Sequence, residues 1–389
     1  MKHFICFLFC AIVAGYSQNI IKYPDSRIIT TAVPFITLNT DATSLGLGNM
    51  GVATDPDVFS QQWNAAKYIF AVTEKGLGLS YSPYLNSLVG DMYLGNISFF
   101  KKLKRQNSAW SASFTYFNAG SINLSQYDND AYIPQGTERP YEFFVDFGYA
   151  LKLSEHFSMA VTARYLRSEL SIYSRNLRNT AFSFASDISG FYTSKKISHS
   201  NYYGKYNIGF QIANIGAKVK YTDFQKEFFL PTILKVGASY QLIFSNQNKF
   251  TCSIQAEKLL VPTPPQYGFD DKNHNGKQDN NEPTLIIAGR DTNVSFLNGI
   301  FQSFYDAPNG FSEEMEEIAW SVGVSYNFNN SFAVRSGYFK ESSNKGSRNF
   351  FTIGSGFSVL KCGVNIAYLF SVSKEVSPLE KAIRISIEF

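Results

Sequence analysis

The chain has 389 residues and a formal charge of +4 at neutral pH, too mild a balance to recruit nucleic acid. Charged residues make up 17% of it, against about 25% in ordinary soluble domains, while aromatic residues reach 16%, with 36 Phe and 24 Tyr. Past the N-terminus no apolar run approaches the ~20 residues a membrane helix needs. Composition therefore leaves two classes: a barrel whose strands show only alternate residues to lipid, or a large soluble β-protein.

Residues 1–17 read as a signal peptide: Lys2 and His3 begin it, Phe4 to Ala14 form an apolar core, and Gly15 and Ser17 are small residues before a cleavage point. Cleavage removes Cys6 and Cys10. The remaining Cys252 and Cys362 sit in strand-like runs and do not make a disulfide framework. Residues 18–75 differ in character, being rich in Gly, Asp, Thr and Pro, and read as either a periplasmic tail or a plug inside a barrel.

From residue 76 to residue 389 the dominant signal is period-2 alternation. In Ile318 to Phe328, the residues Ile318, Trp320, Val322, Val324, Tyr326 and Phe328 share one face, and Ala319, Ser321, Gly323, Ser325 and Asn327 the other. A soluble sheet would carry more charge on its polar face; Gly, Ser and Asn suit a lumen wall. About fourteen such segments occur, beginning near Gly76, Leu88, Ala109, Glu142, His156, Thr180, Tyr203, Thr232, Lys249, Ile318, Phe332, Asn349, Lys361 and Lys381. The predicted fold is all-β: a transmembrane antiparallel barrel of about fourteen strands. The longest gaps, 119–141 and 259–317, and a shorter one at 214–230, all follow odd-numbered segments, so they fall on one side. Outer-membrane barrels put long loops outside and short turns in the periplasm, which places these loops outside if the N-terminus is periplasmic. The last strand alternates up to a terminal Phe389, an outer-membrane assembly signal.

Three loop segments are candidates for function. Phe304, Tyr305, Asp306, Pro308 and Phe311 run into Glu313, Glu314, Glu316 and Glu317. This is a Pro/Gly turn followed by an acidic cluster, either a solvated loop or a docking surface with an electrostatic component. Asp271, Asn273, Asn275, Lys277 (through its carbonyl), Asp279 and Glu282 match the twelve-residue calcium loop, with Gly276 at the turn, although no helices flank it. No cofactor is required by this reading; Ca2+ in that outer loop is the one candidate. Lys101, Lys102, Lys104 and Arg105 make a basic periplasmic turn, solubilising or facing a periplasmic partner or acidic headgroups. Nothing in the spacing of the three mature histidines, His156, His199 and His274, argues for catalysis, so the protein is not read as an enzyme.

The stretch from Asp41 to Asp57, followed by Gln62, Trp63, Asn64, Ala65, Ala66 and Lys67, resembles the PorV family of the type IX secretion system of Bacteroidetes, itself similar to the FadL fatty-acid-transporter fold with its N-terminal hatch. So do Ser303 to Phe311 with the glutamates after them, Arg335 to Phe339, and Lys345 to Arg348. Three positions depart from the family pattern: Ala65 stands where the hatch usually has Pro, Asn309 where Gly follows Pro, and Tyr326-Asn327-Phe328 lacks the usual Trp. Trp63, Asn64, Ala65 and Ala66 are thereby the hatch motif, its turn loosened by the missing Pro. The resemblance implies an outer-membrane shuttle that binds a large translocon barrel and the C-terminal signal domains of cargo, and carries cargo to a sortase complex. Outer-membrane lipid and lipopolysaccharide would surround it. The rival readings are a FadL-like transporter of hydrophobic molecules and a hydrolase that deacylates lipid A, for which no residue here supplies the chemistry.

Overall fold

The computed structural model describes residues 20–23, 27–85, 89–103, 105, 107–128, 131–170, 180–221, 226–244, 247–360, 362–372 and 383–389. The signal peptide, Lys104, and the expected segment starts at Leu88, Lys361 and Lys381 lie outside the described residues.

Fourteen strands close into an antiparallel barrel. They are β1 (Lys75–Pro83), β2 (Tyr93–Leu103), β3 (Ser108–Asn118), β4 (Tyr141–Lys152), β5 (Phe157–Glu169), β6 (Thr180–Thr193) and β7 (Tyr203–Gly216). The other half comprises β8 (Ile233–Ile243), β9 (Lys249–Leu259), β10 (Ile318–Phe328), β11 (Phe332–Lys340), β12 (Asn349–Val359), β13 (Cys362–Ser371) and β14 (Ile383–Glu388). Each pairs with its sequence neighbours, and β14 closes on β1 through Gly78↔Glu388 to Tyr81↔Ile385. Phe389 completes the seam, its backbone exchanging hydrogen bonds of 2.8 and 3.1 Å with Leu77. Closure leaves no free sheet edge, which hydrocarbon would penalise heavily.

Alternation decides what each side chain meets. On β10 the outward Trp320, Val322, Val324, Tyr326 and Phe328 are exposed to what is lipid in the membrane, while Ala319 and Ser321 are buried. Cys252 and Cys362 lie exposed on the same outer face, as two small apolar side chains. The three-residue β10–β11 connection turns on Asn329 and Asn330, both at positive φ (56° and 51°), and the Ser331 amide donates to the Phe328 carbonyl at 3.1 Å to close the turn.

The lumen wall is small and polar because the chain itself fills the lumen. Residues 32–71 run through it as short helical turns, Pro34–Thr37, Ala42–Gly46 (α1), Ser60–Gln62 and Ala65–Phe70. Strand side chains satisfy their backbone. Gln255 accepts from the Gly51 and Val52 amides at 3.1 Å each, Thr352 accepts from Gly48 at 2.9 Å, and Ser239 donates to the Ala53 carbonyl at 2.8 Å. Glycine on the wall lets the two backbones touch. A methyl group on Gly337 would lie 2.1 Å from the Gly48 nitrogen, well inside contact distance. Farther round the wall, inward-facing Arg164 pairs with Asp146 at 2.7 Å and Asp187 at 3.3 Å, a buried cluster that alternation alone puts together.

The plug alternative is thus the one the backbone adopts, but not as a tail hanging in the periplasm. Ile20–Lys22 pairs with Gln266–Asp270 of the 260–317 loop, and Ala32 donates to Phe229 of the 217–232 loop at 2.8 Å. At the other end Lys102 donates to the carbonyls of Ala71 (2.6 Å) and Glu74 (2.7 Å) beside the short β2–β3 turn. The segment therefore enters among the long loops and leaves at the short-turn side. The sequence left tail and plug open, and it held no cue to the side on which the segment begins. The strand pairing around residue 20 is non-local and has no local signature.

Candidate functional site

Two regions gather the candidate residues: the plug inside the barrel and the long loop after β9. In the plug, Trp63, Asn64, Ala65 and Ala66 are fully buried. Asn64 caps the turn Ala65–Phe70, its side-chain oxygen accepting from the Ala66 amide at 3.1 Å. Its amide nitrogen donates to the Val52 and Gly190 carbonyls at 2.9 Å each, tying turn, plug and β6 together. Ala65 stands at the first helical position, where the proline usual in the family costs no hydrogen bond. The Asn64 cap closes the turn without that ring. Trp63 donates to Asp41 at 2.9 Å, and the Lys235 ammonium sits 4.5 Å from a Trp63 ring centroid. Lys67, also fully buried, donates to the Gly51 carbonyl at 2.8 Å and Thr54 at 3.0 Å.

The loop between β9 and β10 carries two short helices, α2 (Phe296–Gln302) and α3 (Phe311–Glu316). Ser295 caps α2 through the Asn298 amide at 3.3 Å. α3 follows Gly310, whose φ of 66° suits a residue without Cβ, and opens with Glu313 and Glu314 in its first turn, where the helix dipole favours negative charge.

The glutamates do not form an exposed acidic patch. Glu313, Glu314 and Glu317 are buried, as is Asp306. Glu314 binds Lys258 at 2.9 Å and accepts from the Asp306 and Ala307 amides at 2.8 and 3.0 Å. Glu317 binds Lys258 at 2.5 Å, Lys345 at 2.9 Å and the Thr263 hydroxyl at 2.5 Å. Glu313 binds Lys345 at 2.7 Å and Arg27 at 3.5 Å. Asp306 accepts from the Thr263 amide at 3.1 Å and Gln302 at 3.2 Å. Three carboxylates thus face three cations and pin the loop to the rim. Lys258 and Lys345 lie 28 to 59 residues from the glutamates they bind, and Arg27 lies near the other end of the chain, which is why sequence reading missed the pairing. Burial, opposed by the Gln302 hydrogen bond, pushes the Asp306 carboxyl up to about 6. Glu313 is also raised by burial, but Lys345 and the Asn309 amide outweigh this and hold it below the usual glutamate range.

Around α2 and α3 the loop exposes apolar and aromatic side chains. Phe304, Tyr305 and Phe311 are 48%, 56% and 77% exposed, and Phe301, Leu297 and Met315 join them; Pro308 is half-buried. The Arg290 guanidinium stacks 4.4 Å from the Tyr305 ring centroid. Any electrostatic contribution to docking must come from elsewhere than Glu313, Glu314 and Glu317.

The calcium-like loop is internally satisfied. Asp271 accepts from the Asn275 and Gly276 amides at 3.2 and 2.8 Å, and Glu282 from those of Lys272 and Asp279 at 2.8 and 3.0 Å. The Asn273 and Asn275 side-chain amides donate to Asp279 at 2.6 and 2.9 Å, and the Asn275 oxygen accepts from Lys277 at 2.7 Å. Among the described residues no cluster of three or more His, Cys, Asp or Glu side chains is placed to hold a metal ion. The basic turn is partly occupied too, since Lys102 holds the end of the plug.

A family model described as type IX secretion system protein PorV matches residues 21–266. The chain belongs to the PorV family. No curated protein matches it. Among solved structures, this PorV-family barrel is similar to a deltaS2S3 mutant of the TodX monoaromatic hydrocarbon channel, with a TM-score of 0.50 and 9% identity over 89% of this chain and 97% of that one. It is also similar to the Pseudomonas putida toluene transporter TodX (TM-score 0.48, 12% identity, 89% and 95% covered). A Pseudomonas aeruginosa FadL homologue follows (TM-score 0.46, 9% identity, 94% and 99% covered). At such identities the likeness is one of fold alone: a closed β-barrel of the kind the TodX deltaS2S3 structure shows. The PorV family places the chain in the type IX secretion system of the outer membrane.

Proposed function

We propose that this PorV-family protein is the shuttle component of type IX secretion. It binds the large translocon barrel, receives cargo by its C-terminal signal domain, and carries it in the membrane plane to the sortase complex. The observation that carries this reading is the pairing of a filled lumen with an aromatic shelf held rigidly outside. A protein that docks partners needs a preorganised surface, because ordering a loop on binding costs affinity. Here the buried ion pairs of Glu313, Glu314 and Glu317 order the loop in advance, leaving Phe304, Tyr305, Pro308 and Phe311 to meet a partner. Aromatic side chains of this kind dominate the energetics of protein interfaces.

A cavity of about 280 Å³ at the outer mouth of the lumen is what a transporter reading would use; Ile28, Ile29, Pro34, Ile233 and Leu259 line it, but so do the charged Glu257, Glu317, Glu341, Lys345 and Arg348. Below it the plug backbone packs against the wall glycines, and uptake would require the plug to move. Tyr305→Ser with Phe311→Ser separates the two readings, since neither residue lines that cavity. The shuttle reading expects loss of surface-delivered cargo, and loss of a co-purifying large barrel, while the variant stays heat-modifiable on gels. Normal cargo display in a strain without a paralogue would refute it.

A further inference from the structure

The loop after β9 does not simply project outward from the rim. Lys258 has the same outward parity on β9 as the exposed Ile254, yet it is buried, because α3 lies over it through Glu314 and Glu317. The helix therefore hangs over the outer wall of the barrel. Between helix and wall is a niche of about 190 Å³. Its wall side is formed by Leu234 and Val236 of β8, Ala256 of β9 and Ile318 of β10. Its loop side is formed by Phe304, Phe311 and Met315. The ion pairs of Lys258 close its polar end.

This niche continues the lipid-facing surface of the barrel. Val236 is exposed on the same outward face as Tyr240, and Ile318 precedes the exposed Trp320, Val322 and Val324 in the same outward register. An apolar recess that opens sideways from a lipid-contacting wall is filled by what surrounds the wall, and hydrocarbon enters it without stripping any polar group of water. Aromatic residues at its lip match the interfacial girdle of such barrels. We propose that the niche is a lipid-binding site at the outer rim, holding an acyl chain of an outer-leaflet lipid between α3 and the wall formed by β8, β9 and β10. The site goes beyond the shuttle reading and does not depend on it. It fixes one lipid in place where the rest of the band exchanges freely.

The test places the photoreactive residue p-benzoylphenylalanine at position 315, in the niche, and separately at position 353, on the lipid face of β12 away from it. The full mature protein is reconstituted in vesicles of phosphatidylethanolamine and phosphatidylglycerol, re-extracted in excess detergent, irradiated and weighed intact. A retained lipid gives a phospholipid adduct at 315 at least fivefold above that at 353. Ala256→Phe, which fills the niche from the wall and leaves the loop surface untouched, should bring the two sites level. Phe304→Ser, which opens it from the loop side, should do the same, and heat-modifiability reports that each variant is folded. Equal adducts at both positions, detergent adducts alone, or a 315 adduct insensitive to Ala256→Phe overturns the proposal. So does loss of the phospholipid adduct in favour of a protein adduct at 315 on irradiation of whole membranes, which would make the niche itself a protein-docking groove, whereas a partner seated on the outer side of Phe304 and Phe311 leaves the lipid adduct in place.

Discussion

Glu317→Ala tests whether the ion pairs hold the outer loop. Glu317 is 8% exposed and serves Lys258, Lys345 and the Thr263 hydroxyl at once. Removing it leaves the cluster with one more cation than carboxylate. Breaking a buried pair by deleting one partner costs about 3–5 kcal/mol, because the charge left behind is uncompensated. The lower end applies here, since Lys258 keeps Glu314 at 2.9 Å and Lys345 keeps Glu313 at 2.7 Å. At about 1.4 kcal/mol per tenfold, a cost of about 3 kcal/mol raises the opening equilibrium of the loop on the order of a hundredfold. Hydrogen exchange of amides in 260–317, read by mass spectrometry under native conditions, measures this directly. β9 and β10 should keep their protection, because loop contacts do not support the strand ladder. Glu316→Ala is the internal control: Glu316 accepts from the Asn344 side-chain amide at 2.9 Å on the surface, and its removal should change exchange by less than about threefold. If Glu317→Ala changes loop exchange no more than Glu316→Ala does, or loosens β9 and β10 equally, the clamp argument is wrong.

Asp306 makes the loop pH-dependent. Its folded carboxyl titrates at about 6, above the ordinary value of 3.8, so the stability held by its protonated form is complete below 3.8 and lost as pH rises through 6. Asp306→Asn should therefore slow loop proteolysis at pH 7.5 and change it little at pH 4, with the opposite pattern refuting the assignment. Gly337→Val places a branched side chain against the Leu47–Gly48 backbone and should loosen the plug, exposing 34–71 to protease in detergent while the barrel remains heat-modifiable. For the calcium-like loop, Asp271→Ala raises protease sensitivity whether or not a metal binds, because it strips the Asn275 and Gly276 amides of their acceptor. Chelator is the deciding arm: cleavage of the unsubstituted loop that is unchanged by chelator rejects Ca2+ there.

The barrel was legible because its signal is local. Alternation in Ile318 to Phe328 is a property of consecutive residues, and lipid on one face with a packed lumen on the other enforces it. The loop-length asymmetry followed from the same count. What stayed illegible was non-local. Alternation makes Ser239, Gln255 and Thr352 inward-facing wall residues and no more, yet they are hydrogen-bond partners of a segment some 190 to 300 positions earlier. The glutamates of α3 looked like a solvated patch because their charge is written in the sequence and their partners Lys258 and Lys345 are not. The short helices of the loop carried no long period to find.

The path of the N-terminal segment also bears on the order of events in assembly. A chain that runs from the long loops down through the lumen to β1 lies at backbone contact with Gly209 and Gly337, so threading it through a sealed wall would mean passing those contacts. We expect instead that the seam between β1 and β14 closes around an occupied interior, with residues 20–23 already on the long-loop side. The last strand is then a latch as well as a wall element. A folded domain fused ahead of residue 20 would have to cross before the latch shuts, and a stalled, open-seamed barrel detectable by protease at β14 is the product expected if it cannot.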